Sequence, residues 1–502
     1  MERPNRTQAA AVAAICILYF AVRVWGLTDS CLWFDEMFSV HAAEHSWGDM
    51  FGFVALDLIH PPLFYALLKI WISSFGESLI SLRIFPLLFS TLALLPFYLL
   101  CRELKLKVST LLIALFLFAV NGALIKYSQE VRMYSVLLFL SLVSTWLFSR
   151  FIYRGKNIWV LTFVNAALVY THYFGWFVVA AEVAAILVFQ RIKIRHVLVM
   201  LAIDIAVFLP WVFALWKAVD AGSDVGQNIS WIGRPGIAAV FTFAFDLIEP
   251  FYFQQTSADA SSILWITLPI LAVIGAAKVV YFSGWKKRSE KSALLLMAVF
   301  TLVPMLLAFA ASWLSPFSIW GSRHLLVVFA PAIVSIAILV NDTDIRWLRN
   351  LFAAVILLAS AAALVMRIAS PVPQLAWCKW DEAAVSLAAD GEREIYVFED
   401  IVAYHAWFST RDLETPPRVL KISGVDGIAE DTAYFLPRGF DAVDRKAIGD
   451  PGGSEIGVIF RATSLNEAEP PLRNLEVAGY HIESVREYDA GGQRSFAVRM
   501  SK

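Results

Sequence analysis

The sequence predicts a mainly α, polytopic helical membrane protein that carries a small C-terminal α/β domain outside the bilayer. Three observations predict it. Hydrophobic residues fill 59% of the 502 positions, above the ~45–50% of an ordinary soluble domain. They gather into about eleven runs near the ~20 residues that a helix needs to cross the hydrocarbon core. After residue 370 the long apolar runs stop, and short alternating segments separated by Gly, Asp and Glu take over.

The first run, 8–27, follows Arg3 and Arg6. It is long enough to span and lacks a clear small-residue cleavage site, so it reads as a retained helix rather than a signal peptide. Further spans are expected near 82–101, 108–126, 134–152, 158–175, 176–190, 196–216, 261–282, 292–312, 324–340 and 348–367. Basic residues give an independent check, because cytoplasmic loops are enriched in Lys and Arg. With the N-terminus inside, every inner turn is basic: Arg102, Lys105 and Lys107; Arg150, Arg154 and Lys156; Arg191, Lys193 and Arg195; Lys286, Lys287, Arg288 and Lys291; Arg346 and Arg349. This parity puts the 28–81 loop, the 121–133 turn, the 217–260 loop, the 313–323 turn and the tail on the outer face. The expected location is therefore a plasma (inner) membrane crossed several times, with a cytoplasmic N-terminus and a periplasmic or extracellular C-terminal domain.

The expected domains are a transmembrane part, 1–370, whose first outer loop is 28–81, and a soluble part, 371–502. In the first outer loop, Pro61 to Phe75 is apolar but short, and reads as a helix lying in the interface. The 217–260 loop, with Trp231 and Phe251-Tyr252-Phe253, is a lid, an acceptor-binding segment or an interfacial loop, the last being favoured. Pro371 and Pro373 mark a linker. Beyond it, Asp381 to Ala389 reads as a helix, and Ile395–Phe398, Gly457–Phe460 and Ser495–Arg499 read as strands. No catalytic motif stands out in this tail.

The formal net charge of -1 lacks the basic surplus of a nucleic-acid binder. The 4 cysteines form no CxxC pair, so no zinc site is indicated. Cys31 and Cys378 are the cysteines expected outside; spacing does not establish proximity, and two free thiols are the favoured reading. Glu182 and Asp204 are acids within expected spans, read as lying near their inner ends.

The residues that could carry chemistry lie in the outer loops. Asp35 and Glu36 sit beside Trp33 and Phe34, just after the first span. One of these carboxylates could take a proton from an acceptor hydroxyl; alternatively the two acids cap a helix or face water. Asp57 and His60 precede Pro61-Pro62, and Pro suits a first helical turn. His60 could hydrogen-bond a carboxylate or a phosphate, or be a plain surface residue. The next outer turn holds Gln129, Glu130, Arg132 and Tyr134. Arg132 has the forked, permanently charged group that suits a phosphate, or it snorkels to head groups. Glu130 and Arg132, two apart, cannot share a helix face. His172 and Tyr173 close a span on the same side, and Arg323-His324 opens another, where a helix start favours an anion. Acids and phosphate-competent cations are thus expected on one membrane face, from segments far apart in sequence.

Trp33-Phe34-Asp35-Glu36 with Ser39, Asp57 before His60-Pro61-Pro62-Leu63-Phe64-Tyr65, and Tyr127-Ser128-Gln129-Glu130-Val131-Arg132-Met133-Tyr134 resemble the GT-C glycosyltransferase superfamily. The resemblance is to its family 39, PMT-like group, whose members include protein O-mannosyltransferases and the aminoarabinose transferases of lipid A. Thr171-His172-Tyr173 and Arg323-His324 match more loosely. The resemblance covers roughly the first 180 residues, becomes diffuse up to the last span and does not reach the tail. It implies an inverting transferase that uses a polyprenyl-phosphate sugar. It implies Asp35 as base, Glu36 as its neighbour in the acceptor pocket, Glu130 as a second-loop acid where several relatives have Asp, and Arg132 and Arg323 on the lipid phosphate. Many relatives have Tyr where this chain has His324. PMT-like members generally work without a metal. Two carboxylates and a phosphate could hold a divalent cation, but no fixed ligand set is evident, and no cofactor is expected. The expected partners are the lipid-linked donor and a lipid, glycan or protein acceptor. The alternatives are a flippase for a lipid-linked sugar and a non-catalytic envelope assembly protein.

Overall fold

A computed structural model describes residues 5–251, 260–370, 372, 374–423, 436–438, 440–447, 453–462, 465, 470–490 and 493–502. The helices begin with α1 (Arg6–Val24), α2 (Phe34–Glu44), α3 (Trp47–Asp57), α4 (Leu63–Phe75) and α5 (Leu79–Glu103). There follow α6 (Val108–Val120), α7 (Gly122–Gln129), α8 (Tyr134–Arg154), α9 (Ile158–Thr171), α10 (Gly175–Phe189) and α11 (Ile194–Asp220). Next come α12 (Gly226–Ile229), α13 (Ile237–Asp246), α14 (Ala260–Ser283), α15 (Lys291–Leu314), α16 (Leu326–Asn341) and α17 (Arg346–Ala369). The tail holds α18 (Ala376–Ala389), β1 (Glu394–Val397), α19 (Asp400–Thr410), β2 (Arg418–Ser423), β3 (Val443–Ala447), β4 (Glu455–Ala462), α20 (Pro470–Val477), β5 (His481–Ala490) and β6 (Gln493–Ser501). The chain divides into two compact units. One is Met1–Leu27, His60–Ala221 and Ile232–Pro371; the other is Thr28–Ile59, Gly222–Trp231 and Val372–Lys502.

The first unit is a multi-pass helical bundle. Each expected span meets a helix. Among the described residues, seven helices are long and apolar enough to cross a membrane: α1, α5, α8, α11, α14, α15 and α17. The other four, α6, α9, α10 and α16, have 13, 14, 15 and 16 residues. At ~1.5 Å per residue they are shorter than the ~30 Å core. Local caps explain the shortening. The expected span 108–126 breaks at Asn121, whose side chain accepts the Leu124 N–H at 3.0 Å and starts α7. The run 158–190 breaks at His172, where the backbone turns extended. Gly175 then restarts the helix at a place where a Cβ would lie 2.9 Å from the Leu168 backbone. Pro62 precedes α4, as the Pro-Pro pair predicts. α16 is apolar all round and almost wholly buried, with α6, α8, α14 and α15 packed on it.

Two of the buried polar groups that hold this bundle are Arg23 and Glu182. Arg23 of α1 is 0% exposed. Its guanidinium donates to the carbonyls of Ala119 at 3.0 Å and Phe118 at 3.2 Å, the C-terminal end of α6, where a cation opposes the helix dipole. Glu182 departs from expectation, because it sits at mid-helix in α10 rather than near an end. There Ser144 and Asn165 donate to its two oxygens at 2.8 and 2.7 Å, which gives the acid a reason to be central.

The second unit carries a six-stranded sheet in the order β3-β2-β1-β4-β6-β5. β1 pairs in parallel with β2 and β4, and β6 runs antiparallel between β4 and β5. Ile395, Tyr396 and Val397 of β1 are all buried, as a central parallel strand requires. The expected helix 381–389 is the end of α18, and the three expected strands are β1, β4 and β6. The linker prolines Pro371 and Pro373, and Tyr252 and Phe253 of the aromatic run, lie outside the described residues. Cys31 and Cys378 correct the expectation of free thiols. They form a disulfide with Cα atoms 5.5 Å apart, because the 28–59 segment folds into the same unit as α18.

Candidate functional site

In the helical unit, four expected residues come together at loop positions. His60 precedes α4, Arg132 lies between α7 and α8, His172 caps α9 and His324 precedes α16. All four are buried. An Arg132 nitrogen lies 3.4 Å from His60 Nδ1. The His60 and His172 rings are 5.2 Å apart, and those of His172 and His324 are 5.9 Å apart.

The hydrogen bonds fix the tautomers. Arginine only donates, so His60 Nδ1 must accept and its proton is on Nε2. His172 Nδ1 accepts the Phe174 N–H at 3.1 Å, so its proton is also on Nε2. His324 is the reverse, because its Nδ1 donates to the Ile319 carbonyl at 3.1 Å. Among the described residues, Nε2 of His60 and Nε2 of His172 are buried and have no partner. Burial, then Arg132, pushes His60 well below its ordinary range. Burial, then Arg132 and Arg323, lowers His172 to about 3. Burial, then Arg323, lowers His324. The rings are therefore neutral at pH 7, and the cluster presents guanidinium charge and two N–H donors. Such a group can hold an anion with several oxygens.

The other expected residues of this unit are placed differently. The half-buried Gln129 spends its amide on the carbonyls of Arg23 at 3.0 Å and Trp25 at 2.8 Å, fastening the end of α1. Glu130 ends α7, and its carbonyl accepts the Arg132 N–H at 2.7 Å. Tyr134 is buried against Tyr127. Tyr173 accepts the Trp211 indole N–H at 3.2 Å.

Sequence reading missed a second group in the same unit. Asp246 ends α13 and accepts a hydrogen bond from Ser322, the residue before Arg323. Asn121 donates to the carbonyls of Asp246 and Leu247, and Gly122 N–H donates to the Glu249 carbonyl at 2.8 Å. These bonds tie 246–251 to the junction of α6 and α7. Burial raises Asp246 to about 6, and burial with Asp246 raises Glu249 to about 8. The available signal was an acid closing the apolar run Ile237–Phe245.

Asp35, Glu36 and Asp57 belong to the second unit. Glu36 is 1% exposed, and its Oε2 accepts the Trp33 N–H at 3.1 Å, so it caps α2. Asp35 is half-buried in the first turn of that helix, where the dipole favours a carboxylate. Asp57 ends α3 and accepts from Asn228 at 2.9 Å. It shares a small cleft with Phe34, Phe38, Phe53 and Arg438. Among the described residues no group of three or more His, Cys, Asp or Glu is arranged to hold a metal ion.

No protein-family model matches the sequence, and no curated protein matches it. Solved structures do. The crystal structure of ArnT from Cupriavidus metallidurans bound to undecaprenyl phosphate aligns over 97% of this chain and 97% of its own, with a TM-score of 0.57 and 10% identity. The Archaeoglobus fulgidus oligosaccharyltransferase, in complex with Zn and sulfate, aligns over 80% of this chain with a TM-score of 0.45 and 15% identity. The chain spans 61% of that protein's length. The Saccharomyces cerevisiae Pmt1-Pmt2 O-mannosyltransferase bound to its sugar donor aligns over 45% of this chain and 36% of its own, with a TM-score of 0.32 and 15% identity. These neighbours are GT-C glycosyltransferases. At 10% identity the likeness to ArnT is one of fold, and over 97% of its length this chain has an ArnT-like polytopic fold.

Proposed function

We propose that the protein is an inverting glycosyltransferase that moves a sugar from a polyprenyl-phosphate donor to a lipid, glycan or protein acceptor at the outer face of a bacterial inner membrane. The observation that carries this reading is the buried His60–Arg132–His172 cluster, with its fixed charge and its two N–H donors that have no partner among the described residues. A buried donor left unsatisfied costs ~1–3 kcal/mol, so a built site of this kind calls for a ligand with acceptor oxygens. A phosphate supplies them. The fold shared with an ArnT crystallised with undecaprenyl phosphate supports a lipid-linked donor.

In this reading the acceptor oxygen attacks the anomeric carbon on the face opposite the phosphate. The carbon–oxygen bond to the phosphate breaks, and the phosphate departs with the electron pair. Its growing charge is met by Arg132, Arg323 and the two Nε2–H groups, which are already oriented and need no reorganisation. Asp35 takes the hydroxyl proton as general base. Glu36 holds the first turn of the helix that carries Asp35, and Asp57 contributes to acceptor binding. The phosphate charge is met by protein cations, so the reaction is proposed to need no divalent metal.

Membranes carrying Asp35→Asn, assayed with a polyprenyl-phosphate sugar, are expected to lose transfer by about 10²-fold or more. EDTA is expected to leave the wild-type rate unchanged. Undiminished transfer by Asp35→Asn at normal expression would sink the assignment. Transport of a lipid-linked sugar is the second reading, favoured by the buried Glu182 and Asp204 within α10 and α11. Movement of labelled lipid across liposomes without sugar transfer would establish it instead.

A further inference from the structure

We propose that a cavity between the first turns of α9 and α11, at the basic end of the helical unit, binds the phosphate headgroup of an anionic phospholipid. The cavity has a volume of about 200 Å³ and is lined by Trp159, Thr162, Arg195, His196, Val199 and Met200, together with Ile158. Against the ~30 Å³ that a water occupies in the liquid, this is room for a phosphodiester. It lies at the opposite end of α9 from His172 and shares no residue with the candidate site.

Its chemistry selects an anion. Among the described residues no carboxylate lines it. Of the neighbouring cations, Lys193 Nζ donates to the carbonyls of Phe151 at 2.9 Å and Ile152 at 2.6 Å, and Arg191 Nε donates to Leu187 at 2.8 Å. Arg195 is exposed at the cavity rim and, among the described residues, makes no hydrogen bond or ion pair. His196 stands beside it, edged by Phe151. On the bundle side Met200 lines the wall, and its Sδ accepts a hydrogen bond from Asn165 at 3.6 Å.

Its borders select a lipid. Trp159 is 68% exposed, and Val199 and Leu198 are exposed beside it, an apolar surface for acyl chains. An exposed Trp next to an unpaired Arg at the end of apolar helices is the pattern of the membrane interface. One basic residue near an anionic membrane surface is worth about fivefold in binding.

The test uses the full chain released from nanodiscs of mixed phosphatidylglycerol and phosphatidylcholine, with retained lipid counted by native mass spectrometry. The wild type is expected to keep phosphatidylglycerol in preference. Arg195→Glu is expected to lose that preference by about fivefold or more. Val199→Trp, which fills the cavity from an exposed position and keeps every charge, is expected to lose it as well. Arg346→Glu removes an exposed cation away from the cavity and is expected to keep the preference. Equal retention of both lipids by the wild type overturns the proposal. So does an equal loss in Arg346→Glu, or an unchanged preference in a folded Val199→Trp.

Discussion

Two buried polar clusters of the helical unit differ in one respect. In the mid-bundle cluster, the Ser144 hydroxyl lies 2.7 Å from Asn165 Oδ1 and 2.8 Å from one Glu182 oxygen and shares its single proton between them, and Asn165 donates to the second oxygen of Glu182. Donors and acceptors of these three side chains answer one another. In the loop cluster, His60 and His172 each use Nδ1 locally and keep an Nε2–H with no partner among the described residues. A closed network fastens helices α8, α9 and α10. An open one holds donors ready for something that arrives. Burial of polar groups therefore does not by itself mark a ligand site; what sets the loop cluster apart, on the proposed reading, is a pair of donors without a partner among the described residues.

Substitutions can break this contrast. The largest effect is expected from Arg132→Ala in the open cluster. It should weaken apparent donor affinity about 10–100-fold, the range for a charge-assisted hydrogen bond, with acceptor dependence unchanged in a transfer assay. An unchanged donor affinity would remove the phosphate role. Asn165→Leu in the closed cluster should do the opposite. It strands Glu182 and should cost about 1–3 kcal/mol in thermal or denaturant unfolding, with transfer per folded molecule retained. His172→Asn sharpens the comparison. Asn keeps an acceptor for Phe174 N–H but lacks the Nε2–H, so donor affinity should fall while the melting temperature holds or rises. A fall in melting temperature as large as that of Asn165→Leu would mean that both clusters are structural.

The smallest effect is one of pH. His172 is held at about 3 in the folded protein by burial, then Arg132 and Arg323, against ~6.5 unfolded. Its contribution to stability is therefore present above ~6.5 and is lost as pH falls toward 3, because the unfolded chain binds the proton first. Glu249 and Asp246, raised to about 8 and about 6, work in the other sense and lose stability as pH rises through those values. The histidine part is isolated by the difference between wild type and His172→Asn, measured as melting temperature at pH 7.5 and 5. The wild type should lose more on acidification.

Much of the fold was legible because it is written locally. Apolar runs located every expected span, the Pro61-Pro62 pair located the start of α4, and short apolar segments located β1, β4 and β6. The lengths were less legible. Hydropathy runs through Asn121 and His172, whereas caps made by those residues end helices there. Residue type and expected membrane face single out Arg132, His60, His172 and His324, which the fold brings together. Gln129, expected among the substrate-binding residues, fastens α1 through two backbone carbonyls, a contact that nothing in its sequence neighbours announces.

The sequence by itself determined the polytopic class, the order of the helices and the residue types available for chemistry, because periodicity, hydropathy and helix breakers act within a few positions. Tertiary structure alone decided which distant groups answer one another. It joined Cys31 to Cys378 across 347 residues. It laid Arg23 on the end of α6 and Ser322 on Asp246. It also set the proton on Nε2 of His60 and His172, since a tautomer depends on which partner the other nitrogen meets, and that partner is chosen by folding.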